Sequence, residues 1–173
     1  LRLATEFSDA QIFLLPSMPL FSSMRTQADG SRLWVGNQTL SKTSGRDLTG
    51  EVSARLLKSL HSDLVMIGHA ERREFFDDES SVAAQLEQAT KSRLRILYCI
   101  GESQVTKDRN KLRTFLHRQL RPLAKIKTPL LVAYEPVFSI GASGKPADPE
   151  YVASALEIIA KGLDQAGKSR VPI

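Results

Sequence analysis

The chain has 173 residues, the length of one ordinary domain, and at 42% hydrophobic residues it can bury a sizeable core. Its formal charge of +5 comes from 24 Lys+Arg and 19 Asp+Glu, scattered over most of the length; the mildly basic runs are Arg93 to Arg95 and Lys107 to Arg121, the second reading as the solvated face of a helix rather than a nucleic-acid footprint, while a small phosphate-bearing ligand suits the sign. One cysteine, Cys99, excludes an intrachain disulfide framework and fits a reducing, cytoplasmic setting; no run approaches the roughly 18 apolar residues of a membrane span, and no charged segment precedes an apolar core at the start.

Leu1 to Phe7 reads as the tail of a helix. Ile12-Phe13-Leu14-Leu15 is a short apolar run stopped by Pro16 and Pro19, a strand followed by a loop. Leu33-Trp34-Val35 is a second strand, closed by Gly36, and Asn37 to Leu48 is a long polar loop. Thr49 is placed to cap a helix running from about Gly50 to His61, with Val52, Leu56, Leu57 and Leu60 at helical spacing and Glu51 at its positive end. Leu64 to Ile67 is the third strand, and a helix from about Ser80 to Ser92 carries Val82, Leu86 and Ala89 on one face.

Ile96 to Ile100 is the fourth strand, ending in Gly101-Glu102, and a charged helix from about Lys107 to Leu123 follows with Leu112, Phe115, Leu116, Gln119 and Leu120 as its stripe. Leu130 to Tyr134 is the fifth strand. Asp148 then caps a helix that opens on Pro149 and continues through Val152, Leu156, Ile159 and Leu163. Ser169 to Ile173 reads as the first residues of another strand; with a first residue that is not Met, both ends look cut.

Strands one βα unit apart, apolar throughout rather than alternating, are those of a parallel sheet covered on both faces, so the class is α/β in a single domain over residues 1–173. Periodicity alone leaves an open doubly wound sheet and a closed barrel equally possible, since both place their sites at strand C-termini. No G-x-G-x-x-G follows the first strand, and Gly141 to Lys145 is too short for a phosphate loop, with Pro146 where a hydroxyl would meet magnesium. His69-Ala70-Glu71 lacks the Pro-Cys-x-x-Cys partner of the zinc deaminases. No metal and no cofactor is expected.

Two strand ends carry chemistry. The third runs into Gly68-His69, and the fifth runs into Glu135 ahead of a glycine-containing segment bracketed by Pro136 and Pro146. A carboxylate and an imidazole delivered by two strands of one sheet can share a pocket as base and acid. The bland alternatives are a solvated loop Glu and a satisfied core His.

Gly68-His69-Ala70-Glu71-Arg72-Arg73, Cys99-Ile100-Gly101-Glu102 and Ala133-Tyr134-Glu135-Pro136-Val137-Phe138-Ser139-Ile140-Gly141, in that order, resemble the triosephosphate isomerase family, and Leu48-Thr49-Gly50-Glu51-Val52-Ser53 looks like its third loop and helix. The resemblance covers essentially the whole chain. It implies a (β/α)8 barrel, of which this chain holds roughly strands 2 to 6 and the start of strand 7, and an isomerase that interconverts glyceraldehyde 3-phosphate and dihydroxyacetone phosphate through an enediolate. It makes Glu135 the proton-shuttling base and His69 the uncharged electrophile, held neutral at a helix N-terminus; the family is itself a standard example of such tuning. It makes Pro136 to Pro146 a lid whose Gly141 backbone N–H meets the phosphate. Glu71 partners a lysine of the first strand, Arg72 and Arg73 belong to structural ion pairs, Cys99 packs inside the barrel, and Thr49 sits on a loop that reaches a second subunit, implying a homodimer.

The departures from the family pattern are specific. The first strand with its Asn and Lys, and the backbone loops that hold the phosphate, have no counterpart between Leu1 and Ile173, so the piece by itself is not expected to turn over substrate. Ala70 replaces the usual Ser, Phe138 the usual Trp, and Ser139 the usual Ala. The Ile140-Gly141-x-x-Gly144 spacing is one residue longer than usual. A longer tip leaves room for a four-carbon sugar phosphate, as in the sister isomerases of erythrulose phosphate. A non-catalytic barrel homologue is the third reading.

Overall fold

The computed structural model describes residues 2–7, 9–44, 48–140 and 144–173. They group into two compact units, Leu1–Ile67 with Ser80–Leu97, and Gly68–Glu79 with Tyr98–Ile173.

The first unit opens with helix α1 (Arg2–Glu6), strand β1 (Phe13–Leu14), helix α2 (Met18–Gln27), strand β2 (Trp34–Val35), helix α3 (Ala54–Ser59) and strand β3 (Leu64–Ile67). β1 and β2 are parallel, with Phe13 opposite Trp34 and Leu14 opposite Val35. Just beyond β2, Asn37 bridges to Val65 of β3, also in parallel, through Asn37 N to Leu64 O and Met66 N to Asn37 O. Each strand therefore lies beside the one before it in the chain. That sequential parallel order is consistent with part of a barrel.

Two expectations fail here for local reasons. The segment after β1, read as a loop because of its two prolines, is α2: Pro19 sits in the first turn, where the missing N–H costs nothing, and Phe21 is fully buried with Ala28, Leu33 and Val35. The helix expected from Gly50 starts four residues later. Ser53, not Thr49, is its cap, its hydroxyl accepting from Leu56 N at 3.1 Å, and Gly50 at φ +84° takes a turn instead.

This unit also holds helix α5 (Glu79–Lys91), all but its first residue, which follows the short helix α4 (Ala70–Phe75) of the second unit. α5 buries Val82, Leu86 and Ala89 as its periodicity predicts. Strand β4 (Arg95–Ile100) contributes Arg95–Leu97 to the first unit and Tyr98–Ile100 to the second, where it neighbours strand β5 (Leu130–Tyr134).

In the second unit, helix α6 (Arg109–Leu120), extended by a 3-10 turn over Arg121–Lys125, packs on helix α7 (Pro149–Gln165). α6 buries Leu112, Leu116 and Leu120, and α7 buries Ala155, Ile158, Ile159 and Leu163. Each fully buried aliphatic side chain contributes about 1.5–3 kcal/mol. Asp148 caps α7 as predicted, Oδ1 accepting from Glu150 N and Tyr151 N. The strand expected near residue 170 forms no regular ladder, but Val132 N of β5 donates to Pro172 O at 2.9 Å, which brings the C-terminal residues alongside β5.

Candidate active site

The site lies within the second unit, at the turn that follows β3 and at the ends of β4 and β5. Gly68 has φ +81°, and a Cβ there would stand 2.7 Å from an Arg73 guanidinium nitrogen and 2.9 Å from Cys99 O, so only glycine makes this turn. Arg73 holds the turn in place: Nε donates to Gly68 O at 2.7 Å, and its Nη atoms reach Tyr98 Oη at 3.1 Å, Cys99 O at 3.4 Å and Glu79 at 3.2 Å. The expected structural ion pairs are thus Arg73 with Glu79 and Arg72 with buried Asp77 at 2.6 Å.

The turn sets His69 at the N-cap of α4. Its Nδ1 accepts from Glu71 N at 3.3 Å. A ring nitrogen that accepts cannot carry the proton, so the ring hydrogen of a neutral imidazole sits on Nε2. That nitrogen stands 3.7 Å from Glu135 Oε1, beyond hydrogen-bond length but in the same space. Glu135 Oε2 accepts from Ala70 N at 3.2 Å. The backbone of residue 70 therefore contacts the carboxylate, which requires no side-chain hydroxyl at this position.

Behind the carboxylate lies Cys99, buried at 1% exposure. Burial first, then the charge of Glu135 and a hydrogen bond to it, push the thiol well above its usual range. These effects favour the protonated thiol beside Glu135.

The backbone of Glu135 is held as firmly as its side chain. Glu135 N donates to Ile100 O at 2.7 Å, and a Cβ on Gly101 would fall 1.8 Å from Glu135 O. Gly101 in turn is gripped by the buried Gln119 side chain, whose Oε1 accepts from Gly101 N at 2.9 Å and whose Nε2 donates to Gly101 O at 3.2 Å. Glu102, 4% exposed, takes the hydroxyls of Tyr134 at 2.8 Å and Tyr151 at 2.9 Å on Oε1, and its backbone O accepts from Val137 N at 3.0 Å. Burial, then Glu102, raises both phenols, Tyr151 to about 12 and Tyr134 further.

After Glu135 comes a 3-10 turn, Val137–Ser139, closed by Ser139 Oγ donating to Pro136 O at 2.7 Å. Lys145 N returns to Phe138 O at 3.4 Å, and a Cβ on Gly144 would stand 2.4 Å from Ser139 O, so the two ends of the segment lie against each other. A cavity of about 810 Å³ beside it is lined by Val105, Lys107, Phe138, Lys145 and Tyr151; His69 and Glu135 do not line it.

Of the residues singled out from sequence, the structure brings His69, Glu135 and Cys99 together. Glu71 points outward at 71% exposure, its carboxylate 3.9 Å from His69 Nδ1. Thr49 is exposed in a turn of the first unit. Gly141 lies outside the described residues. Gln119, Glu102 and Tyr151 carry structural duties at the site that the sequence reading did not assign. For Gln119 the signal was present, a polar side chain in the buried stripe of an amphipathic helix. Among the described residues no group of three or more His, Cys, Asp or Glu is placed to hold a metal, and no helix is long and apolar enough to cross a membrane.

The family model for triosephosphate isomerase matches residues 2–173. Among similar curated proteins, a triosephosphate isomerase of onion yellows phytoplasma is 35% identical over 158 residues, covering 88% of this chain and 57% of the relative. One from Dichelobacter nodosus is 34% identical over 165 residues, covering 93% and 66%. An L-erythrulose-1-phosphate isomerase of Rhizobium meliloti is 31% identical over 170 residues, covering 94% and 67%. The chain spans 57% to 67% of the length of these three relatives.

Proposed function

We propose, because the chain belongs to the triosephosphate isomerase family, that its protein is an aldose-ketose isomerase of a small sugar phosphate. The observation that carries this is the pairing of Glu135 with His69, a carboxylate 3.7 Å from a ring nitrogen whose partner nitrogen is already committed to α4. In this reading Glu135 removes the proton from the carbon beside the substrate carbonyl. The electron pair moves into the new C=C bond, and the carbonyl electrons move onto oxygen. The Nε2–H of His69 faces that oxygen and stabilises the charge; proton exchange between the two enediolate oxygens and return of the proton to the neighbouring carbon complete the isomerisation. No redox partner or leaving group is needed.

Glyceraldehyde 3-phosphate is the first substrate of this reading. A four-carbon sugar phosphate is the second, favoured by the added residue between Ile140 and Gly144 and by the likeness to an erythrulose-phosphate isomerase. The reading includes a homodimer in which the exposed Thr49 turn meets the partner subunit, which sedimentation of the complete gene product tests. Assaying that product with glyceraldehyde 3-phosphate and with erythrulose 1-phosphate decides the substrate. Turnover of one, abolished by Glu135→Gln, is the expected result; no turnover of either leaves a non-catalytic homologue.

A further inference from the structure

Glu102 is tied to the chain on both sides of Glu135. Tyr134, one residue before the carboxylate, donates its hydroxyl to Glu102 Oε1, and Val137, two residues after it, donates its N–H to Glu102 O. Glu102, through its side chain on one side and its backbone carbonyl on the other, therefore bears on where the intervening residue is presented. A carboxylate buried to 4% exposure must be hydrogen-bonded to be tolerated, and Glu102 Oε2 has no partner among the described residues. All of the side chain's compensation thus falls on Oε1, shared between Tyr134 and Tyr151.

Tyr151 comes from a different element. It stands in the first turn of α7, where its own N–H is capped by Asp148, and its ring meets Phe138 edge-on at 5.8 Å between centroids and 76° between planes. Phe138 directly follows Val137. One side chain of α7 thereby touches both the Glu102 carboxylate and the 3-10 turn that follows Glu135. The raised phenols of Tyr134 and Tyr151 keep their hydrogens for donation across the neutral range.

We propose that Tyr151 is a positioning residue for Glu135, acting through Glu102: its hydroxyl fixes the carboxylate that holds Tyr134, on a residue whose backbone carbonyl holds Val137, and so joins the start of α7 to the end of β5. The kinetic part rests on the isomerase reading of the site; the structural part does not.

The test uses the complete gene product and Tyr151→Phe, which removes one oxygen and keeps the ring against Phe138. Expected are a kcat lower by about tenfold with KM within about twofold, and amide hydrogen exchange at Val137 faster by about tenfold, with Ile158 and Ile159 deep in α7 unchanged. In a Glu102→Gln background, where the acceptor is neutral, the effect of Tyr151→Phe on both readouts shrinks below about threefold. Unchanged exchange at Val137 overturns the proposal. So does acceleration spread equally over α7, which is plain destabilisation, or an undiminished effect in the Glu102→Gln background. If the unmodified protein isomerises neither sugar phosphate, the isomerase reading fails, while exchange at Val137 still decides whether Tyr151 holds the Glu135 backbone.

Discussion

Gly101→Ala places a methyl group where Glu135 O already sits. A Cβ at residue 101 falls 1.8 Å from that oxygen and 2.5 Å from its carbon, both backbone atoms. Ordinary contact begins at 3.4 Å, so the two backbone segments must part by about 1.6 Å (3.4 less 1.8). Gly101 cannot retreat freely, because the Gln119 side chain binds both its N–H and its carbonyl. The Glu135 backbone therefore moves, and with it the carboxylate that now reaches Ala70 N at 3.2 Å. A displacement of about 1 Å at a catalytic group costs on the order of 100-fold in rate, while overpacking costs about 1–3 kcal/mol of stability. Steady-state kinetics on the preferred sugar phosphate, with thermal unfolding in parallel, measures both. A folded Gly101→Ala protein with kcat within threefold of the parent refutes the argument that the end of β4 positions the base.

Further outcomes follow from other contacts. Glu135→Asp withdraws the carboxylate by about 1 Å from a backbone that cannot follow it, lowering kcat by about 100-fold with little change in melting temperature; an unchanged rate removes Glu135 from the mechanism. Asp63→Ala, in the first unit, strips the acceptor from Val35 N at 2.8 Å and from Arg25 at 2.5 Å, and costs about 1–3 kcal/mol in denaturant titrations. The thiol of Cys99 and the phenols of Tyr98, Tyr134 and Tyr151 are all raised on folding, burial being the first cause. A group raised on folding stabilises fully below its unfolded value and loses that stabilisation as pH climbs toward its folded value. The melting temperature is therefore expected to fall from about pH 9 upward, where the unfolded thiol and then the unfolded phenols shed protons that the folded forms keep; a flat profile between pH 9 and 11 contradicts it. Cys99, buried and protonated, reacts with an exogenous disulfide reagent at pH 8 only once the protein is unfolded.

Much of the fold was legible where one local rule acted alone. Leu64–Ile67 and Leu130–Tyr134 are strands with the boundaries read from their apolar runs, and the Asp148-Pro149 pair marks the start of α7 to the residue. Legibility fell where two local rules competed. Pro19 breaks a helix interior but favours a helix start, and only the burial of Phe21 decides between them. Thr49 and Ser53 are equally good caps by type, and the turn at Gly50 selects the second.

The sequence by itself determined the alternation of strands and helices, the family, and the two side chains at strand ends to which the proposed chemistry is assigned, because hydrophobic spacing and motif residues are local properties. Only the tertiary structure decided what surrounds those two side chains. That the backbone N–H of Ala70 meets Glu135, that Gln119 clamps Gly101, and that hydroxyls 17 residues apart in the chain, those of Tyr134 and Tyr151, converge on one oxygen of Glu102 are facts of packing between distant elements. No spacing rule encodes them, since each depends on which buried polar group most needs a partner once the elements have met.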